Sequence, residues 1–218
     1  MSIGRAMILA AGRGERLRPL TDLLPKPLVP VRGKPLIVYH LEKLARLGVR
    51  SVVINLAWLG SSLREALGDG ARWGLHIHYS DEGTQALDAG GGIFRALPEL
   101  GSEPFLVVSA DVFTDFDFGT LTIAPEALAQ LVLVPNPGYH PEGDFALREG
   151  YVSASGSPTL TYAGIGLFRA QLFEGCTPGR FPLLPLLQRA IALQRAQGQL
   201  YAGAWANVGT AEQLAELQ

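Results

Sequence analysis

The sequence lacks residues on which several classes of protein depend. Cys176 is its only cysteine, which excludes an internal disulfide and a cysteine-rich zinc site. The four histidines show no spacing with acidic neighbours that suggests zinc. The 18 lysine and arginine residues stand against 20 aspartate and glutamate residues. The resulting net charge of -2 provides no broad basic surface for nucleic acid or an anionic membrane.

Long hydrophobic runs are also missing. No apolar run approaches the roughly 20 residues that a membrane-spanning helix requires. The apolar stretch before Gly12 is too short for a signal peptide and leads into a glycine-rich loop without a cleavage pattern. We therefore expect a cytoplasmic protein without nucleic-acid or membrane partners, and its compact size is compatible with a monomer.

What the sequence does contain is typical of a folded α/β chain. Hydrophobic residues make up 48% of it and charged residues 17%. In the first half, short apolar runs alternate with helical patterns, which predicts a parallel sheet covered by helices on both faces. The expected strands are residues 6–11, 51–56, 75–79 and 105–109; the expected helices are residues 36–47 and 59–67, with a short helix up to Leu97 after a loop that ends in Gly90, Gly91 and Gly92.

The second half has a less regular pattern. It predicts strands at residues 131–134, 145–147 and 160–168, an amphipathic helix at 183–197, a return to the sheet at 200–205 and a closing helix at 210–217. Thr210 is a good N-cap for the closing helix.

A glycine-rich segment follows the first strand. Glycines let a backbone approach a ligand closely, and successive free N–H groups can bind phosphate. Arg16 and Arg18 can add charge-assisted contacts to the same phosphates. The segment consists of Leu9, Ala10, Ala11, Gly12, Arg13, Gly14, Glu15 and Arg16. It is not a Walker loop, because no Gly-Lys-Ser/Thr follows, and it lacks the third glycine of the dinucleotide fingerprint.

Lys26 stands between two prolines, ten residues beyond Arg16. Because proline restricts the backbone on both sides, less conformational entropy is lost when the ammonium group is directed to one point. A glycine turn or a lysine taken singly is usually an ordinary surface feature. The combination of the glycine segment with Pro19-Leu20-Thr21 and Pro25-Lys26-Pro27-Leu28 is much more specific.

This combination resembles the signature of the nucleotidyltransferases that activate sugar 1-phosphates. The resemblance covers nearly the whole chain. It implies a Rossmann-like α/β/α fold in three layers, with a mixed, mostly parallel sheet and a small sugar-binding lid. It divides the single domain into a nucleotide-binding half (about 1–111) and a sugar-binding half (112–218). It also implies that the glycine loop wraps the nucleotide, that Arg16 holds the departing pyrophosphate and that Lys26 lies near the reacting phosphates.

The resemblance implies a magnesium site as well. Asp111 lies just past the end of a buried strand, where a carboxylate can also serve as a cap or a turn residue. It matches the metal-binding aspartate of the family, and Asn207 matches the second metal position, where many members have aspartate. An amide oxygen can ligate Mg²⁺ but removes one negative charge, so we expect weaker magnesium binding. The family also often has glycine where this chain has Ala110, and Glu-Thr where it has Asp88-Ala89.

Two further groups of residues complete the expected site. Gly143, Asp144, Tyr162 and Gly164 resemble the family's sugar-pocket segments, although a Gly-Asp pair also forms ordinary turns and a tyrosine also packs in cores. For the base, we expect contacts from the backbone near Gly12 and from residues 82–91, including Glu82, Gly90 and Gly91. The Glu82 carboxylate can accept the uracil N3–H or face the sugar.

Within the family, segments 55–60, 90–94, 144–145 and 172–176 resemble the uridylyltransferases of cell-wall recycling. This implies UTP and N-acetylmuramate 1-phosphate as substrates and Mg²⁺ as cofactor. Two alternatives stay open. One is another substrate pair, glucose 1-phosphate with dTTP or UTP, or mannose 1-phosphate with GTP. The other is a non-catalytic nucleotide-sugar sensor, which Asn207 and Ala110 favour. A nicotinamide-dependent dehydrogenase has poor support, because Asn55 stands where an acidic residue is expected.

Overall fold

The computed structural model describes residues 3–218 and contains a large sheet with helices on both faces. The strands are β1 (Arg5–Leu9), β2 (Pro30–Val31), β3 (Lys34–Pro35), β4 (Ser51–Leu56), β5 (His76–Asp81), β6 (Phe105–Ser109), β7 (Val112–Thr114), β8 (Ala129–Val134), β9 (Phe145–Arg148), β10 (Tyr151–Ser153), β11 (Thr159–Phe168), β12 (Ala196–Leu200) and β13 (Trp205–Asn207). The α-helices are α1 (Leu20–Leu23), α2 (Leu36–Leu47), α3 (Gly60–Leu67), α4 (Asp88–Leu100), α5 (Leu184–Ala192) and α6 (Ala211–Ala215).

Nine strands form the large sheet, in the order β5-β4-β1-β6-β11-β8-β12-β10-β9. Strands β5, β4, β1 and β6 run parallel to one another, and β12 runs parallel to β8. Strand β11 is antiparallel to both β6 and β8, and β10 is antiparallel to β12 and β9. The sheet is mixed, as predicted. Its parallel part is the run β5-β4-β1-β6, whereas β11 enters antiparallel to both of its neighbours and β9 and β10 form an antiparallel hairpin.

The parallel register brings distant loops to one edge of the sheet. Ile8 pairs with Ile54 on one side and with Val108 on the other, so β1, β4 and β6 end at the same level. The loop after Leu9 therefore lies between Asn55 and the segment that follows Ser109. This edge is where open α/β sheets bind ligands.

The side chains of β1 alternate between two hydrophobic clusters. Ala6 and Ile8 belong to a cluster that contains residues of α2 and α3, whereas Met7 belongs to one that contains residues of α4 and α5. This period-2 alternation places helices on both faces and confirms the three-layer α/β/α architecture. No helix in residues 3–218 combines the length and apolar character needed to cross a bilayer.

Helix α2 and strand β4 have the bounds that the sequence predicts. Helix α2 ends at Leu47, and Gly48 follows it with φ 87°, a left-handed conformation that accounts for the glycine at the C-cap. The backbone N–H of Gly48 donates to Leu44 and Ala45, which satisfies carbonyl groups of the last turn.

The predicted loop through the three consecutive glycines is wrong, because Gly90, Gly91 and Gly92 lie inside α4. Close contacts explain why glycine is required in this helix. A Cβ on Gly90 would lie 2.6 Å from the Phe181 ring, and one on Gly91 would lie 2.3 Å from the Gly179 carbonyl oxygen. The glycines therefore allow segment 179–182 to pack directly on the helix backbone.

The predicted helix at 183–197 is too long. Helix α5 ends at Ala192, Gln194 adopts a positive φ of 55°, and the following residues enter the sheet as β12. The predicted return to the sheet at 200–205 is displaced accordingly, since β12 precedes it and β13 begins at Trp205. Pairing of β12 with β8 overrides a helical pattern in the sequence.

The closing helix is present as α6, and Thr210 is its N-cap. The Thr210 hydroxyl accepts a hydrogen bond from the Gln213 N–H, and the Gln213 side chain accepts one from the Thr210 N–H. This is a capping box, which confirms the predicted N-cap.

Candidate functional site

A cavity of about 280 Å³ lies beyond the ends of β1, β4 and β6. It brings together most of the predicted nucleotide-binding residues, although they come from separate loops. Its lining includes Leu9, Ala10, Ala11, Gly12, Gly14, Lys26, Asn55, Glu82, Asp88, Ala89, Ser109, Ala110 and Asp111.

Gly14 has a structural reason to be glycine. Its φ is 70°, and a Cβ there would lie 3.0 Å from Thr21 and 3.1 Å from the Cβ of Lys26. The buried Thr21 hydroxyl donates to the Gly14 carbonyl oxygen at 2.7 Å. The glycine loop is thus fixed against the segment that leads to Lys26.

The arginines of this segment have different partners. The guanidinium groups of Arg13 and Arg18 both form ion pairs with Asp22. The hydrogen bond from Arg13 is the largest effect lowering the pKa of Asp22. Arg13 also stacks on the ring of Trp58, with its guanidinium carbon 3.9 Å from the ring centroid. Within residues 3–218, Arg16 makes no such ion pair.

Arg16 does not line the cavity and is exposed. Its guanidinium lies close to the C-terminal segment, since a Cβ on Gly209 would be 2.9 Å from it and 2.9 Å from the Gln213 side-chain oxygen. The chain end after β13 therefore lies beside the glycine loop, which the sequence pattern did not predict.

Lys26 and Asp111 form an ion pair within the cavity. The Lys26 ammonium donates to a carboxylate oxygen of Asp111 at 2.5 Å. The side chains are 12% and 28% exposed, so both are largely shielded from water. Pro25 precedes Lys26 in an extended conformation, and Pro27 follows it in a short 3₁₀ turn, which fixes the lysine backbone as expected.

The predicted metal residues are brought together by strand pairing. Asn207 of β13 pairs with Val112 of β7, and the Val208 N–H donates to the Asp111 carbonyl oxygen at 2.8 Å. The Asn207 side-chain oxygen is buried without a hydrogen-bond partner. A buried unsatisfied oxygen is costly, so its position next to an aspartate fits a divalent-cation ligand.

Residues 3–218 contain no group of three or more His, Cys, Asp or Glu side chains arranged to hold a metal. A cation at this site would therefore depend on Asp111, the Asn207 amide oxygen and ligands from a substrate. Magnesium prefers this arrangement, because it commonly keeps water and phosphate oxygens among its ligands.

A second cavity, of about 310 Å³, adjoins the first and contains most of the predicted sugar-binding residues. Ser109 and Asp111 line both cavities. The remaining lining residues include Tyr139, His140, Asp144, Thr161, Tyr162, Gly164, Trp205 and Asn207. Gly143 does not line it; it forms a turn with φ 62° against the side chain of Asn136.

Asp144 is held by contacts through both carboxylate oxygens. One accepts from the Tyr162 N–H at 2.8 Å, and the other lies 3.1 Å from Nε2 of His140. Burial raises the pKa of the Tyr162 phenol, and its ring packs against the second hydrophobic cluster. The tyrosine is thus both a core residue and a wall of the cavity.

Strand β11 changes register beside this cavity, between Tyr162 and Gly166. Gly164 lies within the irregularity, where a Cβ would be 2.9 Å from the Ser109 hydroxyl. The irregularity turns the backbone of β11 toward the end of β6, as bulges commonly do near ligand sites.

Some predicted residues lie elsewhere, and some lining residues were not predicted. Gly90 and Gly91 do not line either cavity, because they are buried under segment 179–182. Asp88 and Ala89, just before them, do line the first cavity. Sequence reasoning missed Ser109, Asn55 and His140 as lining residues. For Asn55, its place at the end of a buried strand was the available signal.

Comparisons with known proteins agree with this geometry. The family model described as nucleotidyl transferase matches residues 5–156. A relative from Neisseria meningitidis serogroup B, an N-acetylmuramate alpha-1-phosphate uridylyltransferase, is 47% identical over 98% of this chain and 96% of its own. A protein of the same name from Caulobacter vibrioides is 34% identical over 94% of this chain and 91% of its own.

The fold has a close match among solved structures. The inositol-1-phosphate CTP transferase from T. maritima superposes with a TM-score of 0.80 at 17% identity, covering 100% of this chain and 97% of that chain. At this identity the likeness concerns the fold alone. Together with the family match and the two full-length relatives, it shows that the chain belongs to the nucleotidyl transferase family, whose relatives here are sugar-1-phosphate nucleotidyltransferases.

Proposed function

We propose that the protein is a uridylyltransferase that converts UTP and N-acetylmuramate 1-phosphate to UDP-N-acetylmuramate and pyrophosphate. The choice of substrates is supported by the two relatives of that name, which align over nearly their full lengths. This product is a cell-wall nucleotide sugar, and the role we propose for the reaction is peptidoglycan recycling in the cytoplasm.

One observation carries the reaction class: the two cavities share Ser109 and Asp111. A nucleotide in the first cavity and a sugar phosphate in the second would bring their phosphates together at this boundary. Holding both reactants in line converts a bimolecular encounter into an effectively unimolecular step. All lining residues of the first cavity belong to the proposed nucleotide half, and most lining residues of the second cavity belong to the proposed sugar half.

The reaction needs no general base. The nucleophile is a phosphate oxygen, and the second pKa of a phosphate monoester is about 6, so the dianion predominates near neutral pH. This agrees with the first cavity, which has no histidine among its lining residues. Catalysis would come from alignment and from neutralising negative charge on the transferring group.

Lys26 and Arg16 have different roles in this proposal. Lys26 reaches the boundary between the cavities, so its ammonium would stabilise charge at the reacting α-phosphate. Arg16 lies outside the cavity, next to the C-terminal segment, where its guanidinium would hold the departing pyrophosphate. The N–H groups of the glycine loop would bind the nucleotide phosphates.

Asp111 and Asn207 would hold the magnesium ion, and Asn207 contributes an oxygen that is otherwise unsatisfied. Bound there, Mg²⁺ would supply charge neutralisation at the phosphates. Asp144, Tyr162 and Gly164 would contact the sugar, and Glu82 would face the base.

The decisive experiment measures pyrophosphate release with Mg²⁺ and UTP in the presence of N-acetylmuramate 1-phosphate, N-acetylglucosamine 1-phosphate or glucose 1-phosphate. We expect strong release with the first. Parallel assays with dTTP and glucose 1-phosphate, and with GTP and mannose 1-phosphate, test the alternative substrate pairs.

Preference for another pair would retain the nucleotidyltransferase reaction and discard the muramate assignment. UTP binding without pyrophosphate release from any pair would instead identify a nucleotide-sugar sensor.

A further inference from the structure

Asn55 is a buried polar residue at the end of β4, and both ends of its amide are used. It is 3% exposed. Its side-chain oxygen accepts from the Ala10 N–H at 2.7 Å, and its side-chain nitrogen donates to a carboxylate oxygen of Glu82 at 2.7 Å. One amide therefore connects the start of the glycine loop with the segment that follows β5.

Glu82 extends this connection to α4. Its second carboxylate oxygen accepts from the Leu87 N–H at 2.6 Å, immediately before the helix begins. The donors Asn55 and Leu87 thus fix the two carboxylate oxygens separately. Asn55 and Glu82 both line the first cavity, so this network forms part of its wall.

Gly92 supplies the space for the pair. A Cβ there would lie 2.6 Å from the Glu82 carboxylate and 3.0 Å from the Asn55 amide nitrogen. The third glycine of the run is thus explained by this pair, whereas the first two are explained by segment 179–182. A buried polar pair whose hydrogen bonds are satisfied favours one fixed geometry.

We propose that Asn55 is a positioning residue for nucleotide binding, which acts by holding the Ala10 N–H and the Glu82 carboxylate in fixed relative positions. The proposal rests on the proposed UTP site. A carboxylate with both oxygens fixed as acceptors favours a base edge that presents an N–H group, as uracil does at N3. The proposed role of Asn55 is to set where the glycine loop and the Glu82 carboxylate meet the nucleotide.

The test exchanges the amide group of Asn55 and the carboxylate group of Glu82. Asn55→Asp keeps an acceptor for the Ala10 N–H but places two carboxylates in contact. Glu82→Gln keeps a partner for Asn55 or for Leu87 but not for both. In the double variant, the carboxylate at position 55 would accept from the Ala10 N–H and from the amide nitrogen at position 82. The amide oxygen at position 82 would accept from the Leu87 N–H, so all three hydrogen bonds are restored.

We expect each single variant to weaken UTP binding by about 10- to 100-fold, the range that follows from losing a hydrogen bond to a charged group. The double variant should bind UTP about tenfold more tightly than Glu82→Gln alone, because the coupling belongs to the pair, but it should stay weaker than the wild type because position 82 no longer carries a carboxylate. UTP affinity is measured by titration calorimetry, and thermal unfolding is followed in parallel. KM for the sugar phosphate should stay unchanged in all three variants.

Asn136→Asp provides a matched control. The side-chain nitrogen and oxygen of Asn136 both form hydrogen bonds, as those of Asn55 do, but Asn136 does not line the first cavity. Its UTP affinity should equal that of the wild type. The proposal is overturned if the single variants change only the unfolding temperature, or if the double variant is no better than the singles. Because calorimetry needs no turnover, either result is separate from failure of the proposed reaction.

Discussion

The two cavities are built from opposite strand arrangements. The first lies at the common end of the parallel strands β1, β4 and β6, where one side chain, Asn55, can reach the loops after two other strands. The second lies along the antiparallel strand β11, where a change of register exposes the backbone next to Ser109. The first cavity is lined mainly by loops that follow strands, whereas the second is lined by the middle of a strand and by a turn.

This difference has a consequence for function. A parallel edge brings together the loops that follow neighbouring strands, so a nucleotide is expected to bind to the backbone of the fixed glycine loop at that edge. The antiparallel region collects side chains from distant parts of the chain, which can change with little effect on the glycine loop. Substitutions in the first cavity should therefore change the binding of the nucleotide, and those in the second should change the binding of the sugar phosphate. Substitutions at the boundary should affect both substrates.

The largest effect is expected at the boundary, for Asp111→Ala. Turnover should fall by about 1,000-fold, the upper range for loss of one preorganised electrostatic contact. Pyrophosphate release measures it, and thermal unfolding checks that the variant is folded. Asp117→Ala is the control, because the Asp117 carboxylate only closes its own turn on the Gly119 N–H. Near-normal turnover of Asp111→Ala would remove Asp111 from the proposed metal site.

Lys26→Ala should cause the next largest effect, about 100-fold on kcat. An interaction made only in the transition state lowers kcat without changing ground-state binding, so UTP affinity should change much less. Steady-state kinetics and titration calorimetry separate the two quantities. Lys34→Ala is the control, since Lys34 pairs with Glu42 away from both cavities. A variant that only weakens UTP binding would contradict the transition-state role.

The different construction of the two cavities also explains which parts of the site the sequence could predict. The motif from Leu9 to Arg16 and the position of Asp111 are local patterns, and most of them line the first cavity as expected. Helix α2 and strand β4 were predicted residue by residue, because their periodicity and the Gly48 cap agree with the final packing.

What the sequence could not predict depends on contacts between distant segments. The run from Gly90 to Gly92 suggests a loop, but packing of segment 179–182 and the Asn55–Glu82 pair requires glycine inside a helix. The amphipathic pattern after Leu183 continues past the real end of α5, where pairing with β8 converts it to a strand. The placement of His140 next to Asp144 likewise depends on a turn whose shape is not encoded in any periodic pattern.

A smaller and more selective effect is expected for Asp144→Ala. Loss of the hydrogen bond from the Tyr162 N–H should loosen the wall of the second cavity and raise KM for the sugar phosphate by about tenfold. UTP affinity should be unaffected. Asp144→Asn, which keeps an acceptor for that N–H, should recover most of the loss, and the exposed Glu142→Ala should behave as wild type. An equal change in the KM values of both substrates would remove the functional distinction between the cavities.

The smallest effect, and the only gain, is expected for Asn207→Asp. Asn207 belongs to the proposed sugar half, and the pairing of β13 with β7 places it next to Asp111. The substitution therefore tests the metal site at the boundary of the two cavities. A second carboxylate adds one negative charge to the proposed magnesium site, and hard divalent cations bind more tightly as the number of charged ligands rises. The Mg²⁺ concentration for half-maximal turnover should therefore fall by about threefold to tenfold, as expected for one added charge at a shielded site.

The dissociation constant for Mg²⁺, measured by calorimetric titration in the presence of a UTP analogue, should fall as well. This measurement separates metal affinity from turnover. Unchanged metal affinity would mean that the unsatisfied Asn207 oxygen faces a substrate group instead of the ion.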